Sequence, residues 1–173
     1  FSKSYQSGPL SFEYFLDGMK IISNCGFGSG ISKKAELLSR ITACQSTLTV
    51  NDTSITKFET NEMISRVFGN SIRESFKFFD FSFKNENEII GCAASNNGYE
   101  KKFGCIHKRE IYIDKKHNYL KGTDHIFKSK DGYPIRYAFR FHINPNLSVV
   151  KTMSGNSALI QITKNKSLLF SIN

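Results

Sequence analysis

Asn97-Gly98-Tyr99, Phe103-Gly104 and His107-Lys108-Arg109 follow one another closely and run straight into the alternating stretch Glu110-Ile111-Tyr112-Ile113. A phenol and an imidazole can transfer protons when their pKa values are tuned, and neighbouring cations can hold developing negative charge. A glycine-aromatic turn that brings these groups onto one hairpin suits an acidic, hydroxyl-rich ligand such as a uronate sugar. Structural roles compete with this one: Tyr99 as a turn residue packed on the sheet, His107 as a satisfied core histidine. Arg140 and His142 alternate on an apolar stretch and so share a strand face beside Asn144-Pro145-Asn146. That pair fits a carboxylate ligand, or an internal ion pair of Arg140 with Asp124 or Asp131. His117 and His125 lie in polar hairpin contexts and read as surface residues.

The elements that must position these groups are mostly strands. Apolar alternation up to Leu16, the break at Asp17-Gly18 and the run over 19–23 predict a hairpin, because Asp-Gly supplies the positive φ of a tight turn. Gly26-Phe27-Gly28-Ser29-Gly30 lacks the Lys-Ser ending of a phosphate loop and reads as a structural loop. Residues 32–41 form the one expected helix, with Ser32 as cap and Ala35, Leu38 and Ile41 on one face. Period-two stretches at 46–50, 72–83, 88–94, 105–113, 119–127 and 135–143, and three short runs after Leu147, predict strands. Clusters such as Asn85-Glu86-Asn87, Asn96-Asn97-Gly98 and Asp131-Gly132 separate them. Alternating Phe76, Phe78, Phe79, Phe81 and Phe83 read as core rather than as a sugar-stacking platform. The predicted fold is all-β, an antiparallel β-sandwich, with the chain 1–173 as one domain.

The chain has 173 residues, of which 39% are hydrophobic, with 16 Phe and 7 Tyr. That is enough to bury a core and too apolar for a disordered tail. Lys+Arg 24 against Asp+Glu 15 gives a net charge of +9, which favours anionic partners. The cations are dispersed, however, and no nucleic-acid-binding motif accompanies them, so nucleic acid is not the expected partner. Cys25, Cys44, Cys92 and Cys105 lack zinc-site spacing and sit in apolar contexts, which predicts buried free thiols rather than disulfides. No apolar run reaches the ~18 residues of a membrane span, and no leader opens the chain at Phe1, so a fragment with upstream sequence is expected.

Three segments together resemble the C-terminal region of the heparinase II/III family of polysaccharide lyases. Cys44-Gln45-Ser46-Thr47-Leu48-Thr49-Val50-Asn51-Asp52 is similar to the family's Ala-His-Ser/Asn-Thr, apolar strand, Asp pattern. Asn96-Asn97-Gly98-Tyr99, Phe103-Gly104 and His107-Lys108-Arg109 are similar to its His-Asp-Gly-Tyr hairpin followed by His-Arg-Arg. Arg140-Phe141-His142-Ile143-Asn144-Pro145 resembles its Arg-Phe-His, apolar, His-Pro strand. The resemblance implies a supersandwich-like β-domain that packs against an N-terminal α/α toroid, with the substrate groove between the two. It also implies β-elimination at uronic acids of acidic polysaccharides such as glycosaminoglycans, and a periplasmic or envelope address in bacteria.

Transferred to this chain, the family pattern makes Tyr99 and His107 the candidate catalytic residues and Gln45, Asn96, Arg140 and His142 candidate substrate contacts. Gln45, Asn96 and Asn144 stand where the family has histidines, and an amide holds a hydrogen bond without relaying a proton near neutral pH. The same replacements remove the imidazoles with which some relatives hold zinc, so no metal and no cofactor is expected. The expected partners are an acidic polysaccharide and the chain's own N-terminal domain, without membrane insertion. The expected activity is that of a carbon-oxygen lyase, lost in the isolated fragment. The alternative is a non-catalytic glycan-binding or scaffold module.

Overall fold

The computed structural model describes residues 4–74, 76–128 and 135–172. The turn expected at Asp131-Gly132, and Asp131 as an ion-pair partner, lie outside these residues. The described strands are β1 (Tyr14–Leu16), β2 (Met19–Ser23), β3 (Leu48–Val50), β4 (Phe78–Glu86), β5 (Ile89–Asn96) and β6 (Cys105–Asp114). They continue as β7 (Tyr119–Lys128), β8 (Tyr137–Phe139), β9 (His142–Ile143), β10 (Ser148–Lys151), β11 (Ser157–Thr163) and β12 (Lys166–Ser171). Hydrogen-bonded orders are β1-β2-β9, β10-β11-β12, β3-β8 and β4-β5-β6-β7, with antiparallel pairing between neighbours. The fold is an all-β antiparallel sandwich.

Two apolar clusters hold the layers together. Ile21, Ile160 and Ile162 join β2 to β11, flanked by Tyr14, Leu16, Met19, Ile143, Leu147, Leu168 and Phe170. Leu48, Val50, Ile55, Tyr99 and Cys105, with Phe76, Phe103, Ile126, Ile135 and Phe139, join the β3-β8 pair to one end of the four-stranded sheet. Each large apolar side chain buried in this way contributes about 1.5–3 kcal/mol. The first hairpin turns as predicted, with φ of 50° at Asp17 and 76° at Gly18.

Among the described residues there are three short α-helices where the sequence predicts one. The expected helix is α1 (Lys33–Arg40), where Ser32 Oγ accepts from the Ala35 amide at 3.0 Å. Helix α2 (Glu62–Phe68) is capped by Asn61 and ended by Gly69 at φ 70°. None of its residues is buried: Met63, Ile64, Val67 and Phe68 recur at helical spacing but the stripe they form is exposed. Helix α3 (Glu100–Phe103) is a single turn between β5 and β6, closed by Gly104 at φ 62°.

The expectation that Phe76 to Phe83 form core is overturned along β4. Phe78 is 42% exposed, Phe81 62% and Phe83 83%. The pairing register shifts between Phe79 and Ser82, and Asp80 there takes a φ of 52°. The far end of the four-stranded sheet extends past the elements that cover its near end, leaving Phe81, Phe83, Cys92, Ile111 and Leu10 around an apolar groove of about 230 Å³. The thiols correct a second expectation. All four are free, but among them only Cys105 is buried; Cys44 is half-buried, while Cys25 and Cys92 are exposed. Cys92 lies on the uncovered sheet end and Cys25 in the open segment after β2.

Candidate functional site

The turn between β5 and α3 drives Tyr99 inward. A Cβ on Gly98 would sit 2.6 Å from Ile55 Cγ2, so only glycine lets the backbone approach this closely. Tyr99 is 1% exposed. Its hydroxyl donates to the Thr53 carbonyl at 2.8 Å, with the Leu48 carbonyl at 3.5 Å. Burial pushes its pKa far above the ordinary phenol value. The structure thus places Tyr99 in the core and not on a groove.

Asn96 and His107 are cross-strand partners on β5 and β6, and both are buried. The Gly98 amide donates to Asn96 Oδ1 at 3.1 Å, which turns the Asn96 NH₂ group toward His107 Nδ1 at 3.5 Å. His107 Nε2–H then donates to Asp124 Oδ1 at 2.7 Å. Arg109 completes the set with Nε to Asp124 Oδ1 at 2.7 Å and Nη2 to Oδ2 at 3.0 Å. Its Nη1 bonds the Leu10 and Ser46 carbonyls, and the guanidinium lies between the rings of Phe12 and Phe141. Burial lowers the His107 pKa and outweighs the opposing pull of Asp124, so the imidazole is neutral at pH 7. Burial works against ionisation of Asp124, but the bonds from His107 and Arg109 win and hold its pKa below the usual carboxylate value. With Nδ1 and Nε2 both engaged, this imidazole orients its neighbours and offers no free lone pair.

The remaining predicted site residues divide into two places. Gln45 is buried and donates from Nε2 to the Ser39 carbonyl at 2.9 Å. His142 lies nearby: its backbone amide donates to Ser46 Oγ at 2.9 Å and its Nε2–H to the Ala43 carbonyl at 3.0 Å. Arg140 instead donates to Thr49 Oγ1 and reaches Asp52 Oδ1 at 3.4 Å, beside Arg136 on the same carboxylate. The expected shared face of Arg140 and His142 is not formed, because the strand breaks between β8 and β9, which join different sheets. Arg140 takes Asp52 as its acid, and Asp124 belongs to Arg109 and His107. His117 and His125 are exposed as expected.

One end of the buried network reaches a concave surface. Asp124, Ile126, Lys128, Ile135, Tyr137 and Phe139 line a cavity of about 440 Å³ between β7 and β8. Its size is ordinary for a small-ligand pocket. A carboxylate fixed by Arg109, a lysine and a half-exposed tyrosine give it both signs of charge and an aromatic face. Sequence reasoning missed Lys128 and Tyr137, which come from segments on either side of the 129–134 stretch. It also missed Arg109 and Asp124 as a pair, though the β6-β7 turn sets the register Arg109↔Asp124. Among the described residues, no three His, Cys, Asp or Glu side chains converge to hold a metal ion.

The family model described as Heparinase II/III-like, C-terminal, matches residues 1–172. No curated protein and no solved structure matches the chain.

Proposed function

Since the chain belongs to the heparinase II/III-like family and matches its C-terminal region, we propose that it forms one wall of a polysaccharide-lyase cleft for an acidic, uronic-acid-containing glycan. The observation that carries this reading is the cavity in which Lys128 and Tyr137 stand beside the anchored Asp124. Lysine pairs with a uronate carboxylate, the tyrosine ring stacks on a pyranose face, and the carboxylate accepts sugar hydroxyls. The net charge of +9 favours approach of a polyanion.

In β-elimination the substrate carboxylate is neutralised, a base removes the C5 proton, and an acid protonates the departing O4. A base must present a free lone pair to that proton. His107 has both ring nitrogens engaged and Tyr99 keeps its proton on a backbone carbonyl inside the core, so here they act as positioning groups: Tyr99 locks the β5-α3 turn and His107 aims Asp124 at the cavity. Asn96 holds His107, and Gln45, Arg140 and His142 brace the segments that frame the wall. The second wall, with the remaining proton-transfer groups, belongs to the N-terminal helical domain. The uncovered strip around Phe81 and Phe83 offers that domain an apolar seat. Turnover is therefore a property of the full-length protein, in the periplasm or envelope of a bacterium.

The test is ultraviolet detection of unsaturated product when full-length protein is given alginate, heparin or heparan sulfate. Product formation that falls at least tenfold in Lys128→Ala or Tyr137→Ala supports the cleft; turnover indifferent to both variants overturns it. The sealing of Tyr99 and His107 favours a second reading, a glycan-binding module without chemistry. That reading predicts binding by titration and no product from the full-length protein.

A further inference from the structure

Cys25 and Cys44 are brought together by a contact that the lyase reading does not use. The Cys25 amide donates to the Cys44 carbonyl at 3.0 Å. That bond ties the segment after β2 to the last residue of the Thr42–Cys44 3-10 turn, and the Cys44 thiol lies close enough to act on the Cys25 thiol. His142 completes the group. Its Nε2–H is held by the Ala43 carbonyl at 3.0 Å, which leaves Nδ1 as a lone pair 3.8 Å from Cys25 Sγ. Cys25 is exposed and Cys44 half-buried, so a small oxidant can reach the pair. The other two thiols have no such option: Cys92 lies opposite Ile111, and Cys105 is about 20 Å further along β6.

We propose that Cys25 and Cys44 are an oxidisable dithiol that closes to a disulfide by exchange with low-molecular-weight disulfides, with His142 receiving the Cys25 proton. In the first step Cys25 sulfur attacks one sulfur of the oxidant, expelling one thiolate and leaving a mixed disulfide. In the second, Cys44 sulfur attacks Cys25 sulfur and expels the other thiolate. Two protein thiols become one disulfide, the oxidant is reduced to two thiols, and both protons pass to those products through His142 and water. Burial and the adjacent Cys44 thiol push the Cys25 thiol up to about 11, so it enters the reaction protonated and needs an acceptor at Nδ1. The bond would close the glycine-bearing segment and α1 into a covalent loop that ends next to Gln45. This inference stands independently of the proposed glycan chemistry.

The test equilibrates the full chain in glutathione buffers of stepped redox ratio, followed by non-reducing peptide mapping and thermal melting. The expected result is a linked Cys25–Cys44 peptide, loss of two hydrogens from the intact mass, and a melting midpoint higher by about 5–10 °C. Cys44→Ser should trap glutathione on Cys25, Cys92→Ser should change nothing, and His142→Gln should slow closure about tenfold with the same final disulfide fraction. Cys25 and Cys44 that remain separately alkylatable at every redox ratio overturn the proposal, as does pairing of either with Cys92. The mapping of unsubstituted protein decides the matter even where a variant fails to fold.

Discussion

Arg109 and Asp124 face each other across β6 and β7 and are joined by two near-parallel bonds, Nε to Oδ1 at 2.7 Å and Nη2 to Oδ2 at 3.0 Å. A fork-to-fork pair of this kind fixes both side chains in one plane. Because Arg109 also ties down the Leu10 and Ser46 carbonyls, the pair links the four-stranded sheet to the segments before β1 and β3. It also supplies the charge that keeps Asp124 ionised at the cavity wall.

Removing the acid should expose how strained the arrangement is without it. Arg109 is 3% exposed, so Asp124→Ala strands a guanidinium out of water. The expected loss is about 3–5 kcal/mol, read from the shift of the urea unfolding midpoint. A loss under about 1 kcal/mol would show that water reaches Arg109 in solution.

The same network fixes a pH dependence. His107 and Asp124 both have pKa values lowered by folding, so each contributes stability above its unfolded pKa and loses it as pH falls through the folded one. With unfolded values near about 6.5 and 3.9, stability should be flat above about pH 7, decline first below 6.5 and again below 4. Denaturation midpoints across pH 3–8, compared with those of His107→Gln, check this: the variant should lack the upper decline.

Tyr99→Phe separates structure from chemistry. Loss of the hydroxyl leaves the Thr53 carbonyl without its 2.8 Å partner and should cost about 1–2 kcal/mol. Eliminase turnover of the full-length protein should stay within about threefold, whereas loss of a proton-transfer group costs about 100-fold or more. A rate collapse with unchanged stability would move Tyr99 into the reaction.

The apolar strip gives a prediction about assembly. Phe81→Ser with Phe83→Ser should reduce binding of an apolar dye to the 173-residue chain and leave its melting midpoint within a few degrees, since both rings are already largely solvated. In the full-length protein the same change should loosen the two domains, seen as faster hydrogen exchange along β4 and β5. Equal exchange in both proteins would mean that nothing rests on the strip.

Strand positions were readable because half-buried antiparallel strands alternate, and β5, β6 and β7 start or end within a residue or two of where period two places them. The Asp17-Gly18 turn and the Ser32 cap were likewise local signals. Helix α2 had a local signal that was passed over: Asn61 can cap, and Met63, Ile64, Val67 and Phe68 recur at helical spacing over two turns. The site residues were found as residue types but misjudged in direction. Nothing in a sequence says that Tyr99 ends on a carbonyl of Thr53, or that Arg140 turns to Asp52 while Asp124 goes to Arg109. Those choices come from contacts between segments remote in the chain. The phenylalanines of β4 misled for a related reason: alternation identifies a face, and the neighbouring layers decide whether it is covered.

The register shift at Asp80 decides what that face is made of. Beyond it, Phe83 pairs with Cys92 and Lys84 with Gly91. Were the same residues paired one-to-one with β5 from Phe79 onward, with no bulge, Phe83 would stand opposite Gly91 and Lys84 would trade sides with it. One additional peptide unit therefore acts as a phase setter. It makes one side of the arm water-shunning and the other wettable, and deleting it would restore a regular ladder to β5 with both sides left where they are.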